Sequence, residues 1–206
     1  GVEIKMKKFI PVAAGMAGGS SDAAAVLFGV NKMFSLGRTT EQLMERGVKL
    51  GADVPYCIMR GTALSEGIGE ILTPLPPMPQ CQILIAKPPI SVSTKFVYEN
   101  LNLPSLSRDA HPNIDKIAKA LASRDFYGVA DNLGNILETV TIPAHPVIRE
   151  IKEKMMELGA VNALMSGSGP TVFGLFVNPA AAQEAYEEMR YGSAKSLSKQ
   201  VYLTSF

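Results

Sequence analysis

The segment Pro11-Val12-Ala13-Ala14-Gly15-Met16-Ala17-Gly18-Gly19-Ser20-Ser21-Asp22-Ala23 constrains this chain more than any other. Glycines without a Cβ let backbone amides turn through positive φ and approach a ligand closely. Asp22–Phe34 follows with helical spacing, and Gly37 supplies a stop. Successive amides in such a turn form a concave anion nest. A helix beginning near Ser20 and Ser21 adds its unpaired amides and the positive end of its dipole at the same spot. The two serines can cap that helix, donate to the oxygens of an anion, or reach a metal. A turn that merely lets a helix pack closely on a sheet has the same composition, so the loop alone leaves both readings open. No lysine lies inside it and Gly-x4-Gly-Lys-Ser/Thr is missing, so it is not a Walker A loop; nor is it Gly-x-Gly-x-x-Gly.

The remaining pattern mixes strands and helices without a repeat. Val2–Ile10 alternates weakly and predicts a strand ending at Pro11. Thr39–Leu50 predicts a helix opened by a capping box, Thr39 with Gln42. Tyr56–Leu64, Glu70–Leu75, Gln82–Ala86, Val172–Val177 and Gln200–Phe206 read as strands; Asn113–Ala122, Tyr127–Asn135, Pro146–Leu158 and Ala180–Arg190 read as helices. Four prolines make Thr73–Gln80 irregular. A domain change is expected between about Gly61 and Gln80, dividing the chain into 1–65 and 66–206.

Composition narrows the classes. At 206 residues the chain can bury a sizeable core. A net charge of +1 gives no basic excess for nucleic acid and no acidic excess for disorder. Residues 1–65 carry +3 and residues 66–206 carry −2, so the first part is the better suited to an anion. Cys57 and Cys81 make neither a disulfide framework nor a zinc site, and a reducing cytoplasm is the expected compartment. No apolar run approaches the ~20 residues of a membrane span. Gly1–Pro11 has no apolar run behind its lysines and does not read as a signal peptide.

Three further segments carry candidate chemistry. In Gly51-Ala52-Asp53-Val54-Pro55, the proline removes a donor and restricts Val54, so Asp53 sits in a defined turn. A carboxylate there can accept a proton from a hydroxyl, or close an Asx turn on its own backbone. Ser166-Gly167-Ser168-Gly169-Pro170, within Leu164–Phe173, permits a close backbone approach or a plain strand-entry turn. Thr94 and Tyr98 share one face if their segment is helical, where the ring can stack on a base or half-bury as packing. His111 and His145 precede prolines and read as turn residues. Glu66–Glu70 is half a dinucleotide fingerprint with no helix behind it, and is rejected as one. Asp22, Glu66 and Glu70 are candidate indirect Mg²⁺ ligands with nothing to choose among them, so the metal ligands are left unassigned.

Pro-x3-Gly-Met-x-Gly-Gly-Ser-Ser-Asp-Ala resembles the phosphate loop of the galactokinase, homoserine kinase, mevalonate kinase and phosphomevalonate kinase (GHMP) superfamily. The order of the motifs over nearly the whole chain is most similar to the branch that acts on 4-diphosphocytidyl-2-C-methyl-D-erythritol. The resemblance implies an α+β fold of two domains, a ribosomal-S5-type N-terminal part, incomplete here, and a ferredoxin-like C-terminal domain. It implies ATP and Mg²⁺, Asp53 as the catalytic base, and Pro11, Ala13, Ala14, Gly15, Met16, Ala17, Gly18, Gly19, Ser20 and Ser21 around the ATP phosphates. Thr94 and Tyr98 then lie over the cytidyl end of the substrate, with Ser166, Gly167, Ser168 and Gly169 bordering the site. A cytoplasmic isoprenoid-pathway kinase for a cytidine-diphospho sugar alcohol is implied, as a monomer or weak homodimer without nucleic-acid or membrane partners. The family also has an N-terminal third ahead of the counterpart of Gly1, with a lysine beside the base, aromatic contacts for cytosine and most of the adenine pocket; none of these has a match here. Another GHMP kinase of small alcohols, or a non-catalytic nucleotide-binding module, shares the loop.

Overall fold

The structure, a computed structural model, describes residues 1–107 and 111–206. It divides into two compact units, Gly1–Pro74 and Leu75–Phe206.

In the first unit, the glycine-rich loop leads into α1 (Gly18–Met33), followed by α2 (Thr40–Gly47) and α3 (Val54–Met59). Thr39 caps α2 with both bonds of the expected capping box. Ala24 of α1, Leu43 of α2, and Val54 and Ile58 of α3 form a small buried core. The crossing of α2 and α3 is tight: a Cβ on Gly47 would sit 2.8 Å from Val54 Cγ1 and 3.0 Å from Ile58 Cδ1. β1 (Thr62–Glu66) and β2 (Ile71–Leu75) pair as a two-stranded hairpin. Its turn is the rejected fingerprint, with Gly67 and Gly69 at positive φ and the Glu70 carboxylate accepting from the Ile68 amide at 2.7 Å.

Two expectations fail in this unit. Val2–Ile10 forms no strand, because neither sheet among the described residues offers it a ladder, and strand geometry depends on a neighbour. Tyr56–Met59 is helical rather than extended, since Pro55 occupies the first turn of α3, where its fixed φ and missing amide suit a helix start.

In the second unit, β3 (Gln82–Lys87), β4 (Asn162–Met165), β5 (Val172–Phe176) and β6 (Gln200–Ser205) form one antiparallel sheet in the order β4-β5-β3-β6. Leu84 faces Gly174 and Leu203 across the ladders, and Ala86 faces Val172 and Val201. The period-2 alternation puts these residues on one face. Two helices cover that face: α8 (Val147–Glu157) with Ile148, Ile151 and Met155, and α9 (Pro179–Tyr191) with Ala182, Ala185 and Met189, all six fully buried. α8 packs tightly at Gly174, where a Cβ would lie 3.0 Å from Met155 Sδ. The opposite face, with Leu175 and Phe173, packs on α6 (Phe126–Asn132), which neighbours α5 (Ile114–Ala122). Two helices and two crossovers on such a sheet are the ferredoxin-like arrangement.

Two elements here had no forecast. α7 (Glu138–Ala144) hides behind β-branched residues and Pro143, and β4 is too short to show an alternation. α4 (Thr94–Glu99) provides the helical turn that Thr94 and Tyr98 require. Among the described residues no helix is long and apolar enough to cross a membrane.

Candidate active site

The glycine-rich loop turns by left-handed backbone at Ala13 (φ 52°), Gly15 (φ 69°) and Ala17 (φ 47°). Alanine seldom adopts that region, and such strain concentrates where a loop must aim its amides. Ala17 is the residue before α1 and makes no side-chain cap. Of the three roles open to the serines, capping is therefore not the one they take. The helix starts earlier, at Gly18, so both lie inside its first turn, and Ser21 Oγ donates instead to the Gly18 carbonyl at 2.9 Å. The first helical bond runs from the Ser21 amide to Ala17 O at 2.9 Å. The amides of Gly18, Gly19 and Ser20 precede it and point out of the helix head, where an anion is best placed. No acidic residue occupies the first turn. Ala14 and Gly18 are buried as the loop's floor; Ala13, Gly15 and Gly19 are exposed, while Pro11, Met16, Ala17, Ser20 and Ser21 are half-buried.

Lys8 lies outside the loop, yet its ammonium pairs with the Asp22 carboxylate in α1, both side chains about two-thirds covered. It ties the leading segment to the helix head. The tertiary contact is the only signal that marks it.

Asp53 immediately precedes α3, exposed, with φ −83° and ψ −9° and no side-chain cap bond. It does not spend its carboxylate on an Asx turn. Its turn lies beside the phosphate-type loop: a Cβ on Gly51 would sit 3.9 Å from Ser20 Oγ. The α1–α2–α3 core, through Ala24 and Val54, holds the acid and the helix head together. Nearby Cys57 has its thiol pushed up first by burial and then by the Asp53 charge, which favours the protonated form.

In the second unit, Ser166–Thr171 closes the β4–β5 hairpin, with the Ser166 amide donating to Thr171 O at 2.8 Å and the Gly169 amide to Ser166 O at 3.0 Å. Gly167 and Gly169 have φ of 57° and 88°. Gly167 is exposed, Ser166 half-buried, and Ser168 and Gly169 buried. Ser168 Oγ lies 2.9 Å from Thr94 Oγ1, joining the two sequence-predicted segments of this unit, and its carbonyl accepts from Thr141 Oγ1 at 3.3 Å. Tyr98, one turn after Thr94 on α4, is 62% exposed, so its ring is not core packing. His145 ends α7 and His111 lies in a bend before α5, as turn residues.

Residues 1–61 match the family model described as "GHMP kinases N terminal domain", and residues 110–194 match "GHMP kinases C terminal". A protein of Lachnoclostridium phytofermentans named 4-diphosphocytidyl-2-C-methyl-D-erythritol kinase is 58% identical over all 206 residues, which span 69% of its length. The protein of the same name from Geobacillus kaustophilus is 49% identical over 190 residues, 92% of this chain and 64% of that one. The crystal structure of a 4-(cytidine 5'-diphospho)-2C-methyl-D-erythritol kinase superposes with a TM-score of 0.79 at 32% identity, covering 97% of this chain and 68% of that one. A homoserine kinase from Cytophaga hutchinsonii, at TM-score 0.76 and 20% identity over 97% of this chain and 67% of that one, shares the fold. The chain belongs to the GHMP kinases, which are ATP-dependent small-molecule kinases, and within them to the 4-diphosphocytidyl-2-C-methyl-D-erythritol kinase family.

Proposed function

We propose that this chain transfers the γ-phosphoryl group of ATP to the 2-hydroxyl of 4-diphosphocytidyl-2-C-methyl-D-erythritol, a step in non-mevalonate isoprenoid precursor synthesis. The observation that supports it best is the carboxylate of Asp53, uncapped and exposed, in a turn set beside the helix head at Ser20. The amides of Gly18, Gly19 and Ser20, with the loop from Pro11 to Ala17, hold the phosphates. The substrate oxygen forms a bond to the γ-phosphorus as the bond from phosphorus to the β–γ bridging oxygen breaks. The hydroxyl proton passes to Asp53, and ADP leaves. The transition state is loose, so orientation matters more than the strength of the base.

No group of three or more His, Cys, Asp or Glu side chains forms a preformed metal cage among the described residues. Mg²⁺ keeps several waters and binds through nucleotide phosphates and one or two protein oxygens, so it needs no such cage. Ser20, in the first turn of α1, is the side chain that would meet it, whereas Asp22 lies beyond that turn with its carboxylate paired to Lys8. When bound, it neutralises the charge on the phosphates.

Thr94 and Tyr98 take the cytidyl end. Stacking of a base on an aromatic ring is worth about 1–3 kcal/mol. Tyr98→Ala is therefore expected to raise KM for the cytidyl substrate about tenfold or more, whereas Tyr98→Phe should leave it near wild type. If Phe is as damaging as Ala, the hydroxyl and not the ring face carries the contact.

ADP release, measured with a panel of alcohols, tests the reading as a whole. Release only with the cytidine-diphospho sugar alcohol supports it. Release with mevalonate-type or amino-acid alcohols points to a different GHMP activity, and nucleotide binding without release to a binding module.

A further inference from the structure

We infer that Asn135, in the segment leading into α7, and Glu138, the first residue of α7, are positioning residues for the Ser166–Gly169 loop. The inference rests on the reading that this loop borders the active site. Among the described residues β4 is an edge strand, with β5 as its sole sheet neighbour. An edge strand leaves alternate backbone groups without a ladder partner. At Met165, the last residue of β4, both outward groups are taken by side chains. Glu138 Oε1 accepts from the Met165 amide at 2.8 Å, and Asn135 Nδ2 donates to the Met165 carbonyl at 2.8 Å.

Asn135 Nδ2 also donates to the Gly167 carbonyl at 2.8 Å, so one amide group spans the root and the tip of the loop. Its Oδ1 accepts from the Leu137 amide at 3.0 Å, which fixes the orientation of the side chain. Glu138 is anchored in turn, its Oε2 bonded to Lys152 of α8 at 2.5 Å with both side chains largely covered. Gly167 at φ 57° and Gly169 at φ 88° have no side chains of their own to hold the loop's shape. To the loop's own backbone bonds, α7 and the segment before it add restraints from outside. Positional errors on the order of 1 Å can cost about 10²-fold in rate, and this clamp acts on that scale.

Asn162 provides a matched control. It sits on the same strand, donates to Ala130 O at 2.6 Å and accepts from the Ala163 amide at 2.7 Å, and neither of these bonds reaches the loop. Asn135→Asp keeps the acceptor for Leu137 and removes both donors to the loop. Hydrogen exchange at residues 166–169 should rise in this variant and stay at the wild-type level in Asn162→Asp. In turnover assays, kcat should fall about 10²-fold with KM for the alcohol near wild type, and Asn162→Asp should keep wild-type kcat despite a lowered melting temperature. If Asn135→Asp does not fold, Glu138→Ala is judged by the same two readouts. Unchanged exchange at 166–169 overturns the clamp. Raised exchange with unchanged kcat overturns its role in the reaction. A wild-type chain that phosphorylates nothing counts instead against the functional reading, and exchange alone then decides the clamp.

Discussion

Asp53→Asn is expected to lower kcat by about 10²–10⁴-fold, the range of a general-base contribution, while ATP affinity and melting temperature stay near wild type. Asparagine has the size of aspartate but neither its charge nor its basicity. ATP binding should persist because the phosphates are assigned to amides of the loop and α1, not to this carboxylate. The fold should persist because Asp53 makes no side-chain cap to α3, so there is no cap to lose. A purely structural turn residue predicts the reverse: a lower melting point and a modest kinetic loss. A second readout comes from Cys57, whose thiol is held up by burial first and by Asp53 second. Removing the charge should shift the pH profile of Cys57 alkylation toward lower pH, with burial still keeping the thiol above its ordinary value. Near-normal kcat in the Asn variant would remove Asp53 from the chemistry.

Gly19→Val should weaken ATP binding about tenfold to a hundredfold for each charge-assisted amide bond it displaces, taking such bonds as worth about 1.5–3 kcal/mol. The choice of glycine matters. A Cβ at Gly19 meets nothing within 4 Å, so the valine crowds only what approaches the helix head from outside. Valine is also no worse than glycine as a helix residue, which keeps stability from confusing the result. At Gly18 a Cβ would sit 2.7 Å from Ile10 Cγ2 and force the segment before the loop to move. Gly18→Val therefore mixes a packing change with loss of the ligand contact, and both affinity and stability should fall. Calorimetric titration with ATP, alongside thermal melting, separates the two variants. ATP affinity unchanged in folded Gly19→Val would take the head of α1 out of the phosphate site.

The sequence was most legible where short-range geometry decides the structure. Thr39 with Gln42 marked the start of α2, the glycines marked the loop before α1, and Pro146–Leu158 read as the helix that α8 forms. These signals are local because caps, turns and amphipathic faces are set within a few residues. The family was legible for the same reason, since its motifs are contiguous. Where local signals compete, the reading failed: Pro55 started a helix in what looked like a strand, and β-branched residues with Pro143 concealed α7.

The assembly of the candidate site was decided by tertiary structure alone. Nothing in the spacing of Gly51 and Ser20 puts them side by side; the packing of Ala24 on Val54 does. Thr94 and Ser168 lie far apart in the chain and meet because the β4–β5 hairpin brings the loop to the head of α4. Asn135 and Glu138 look like ordinary polar residues until an edge strand exposes the backbone groups they satisfy. A sequence records which groups a residue offers. Which of those groups remain unpaired, and therefore need a distant partner, depends on the ladder and on burial, and both exist only once the chain has folded.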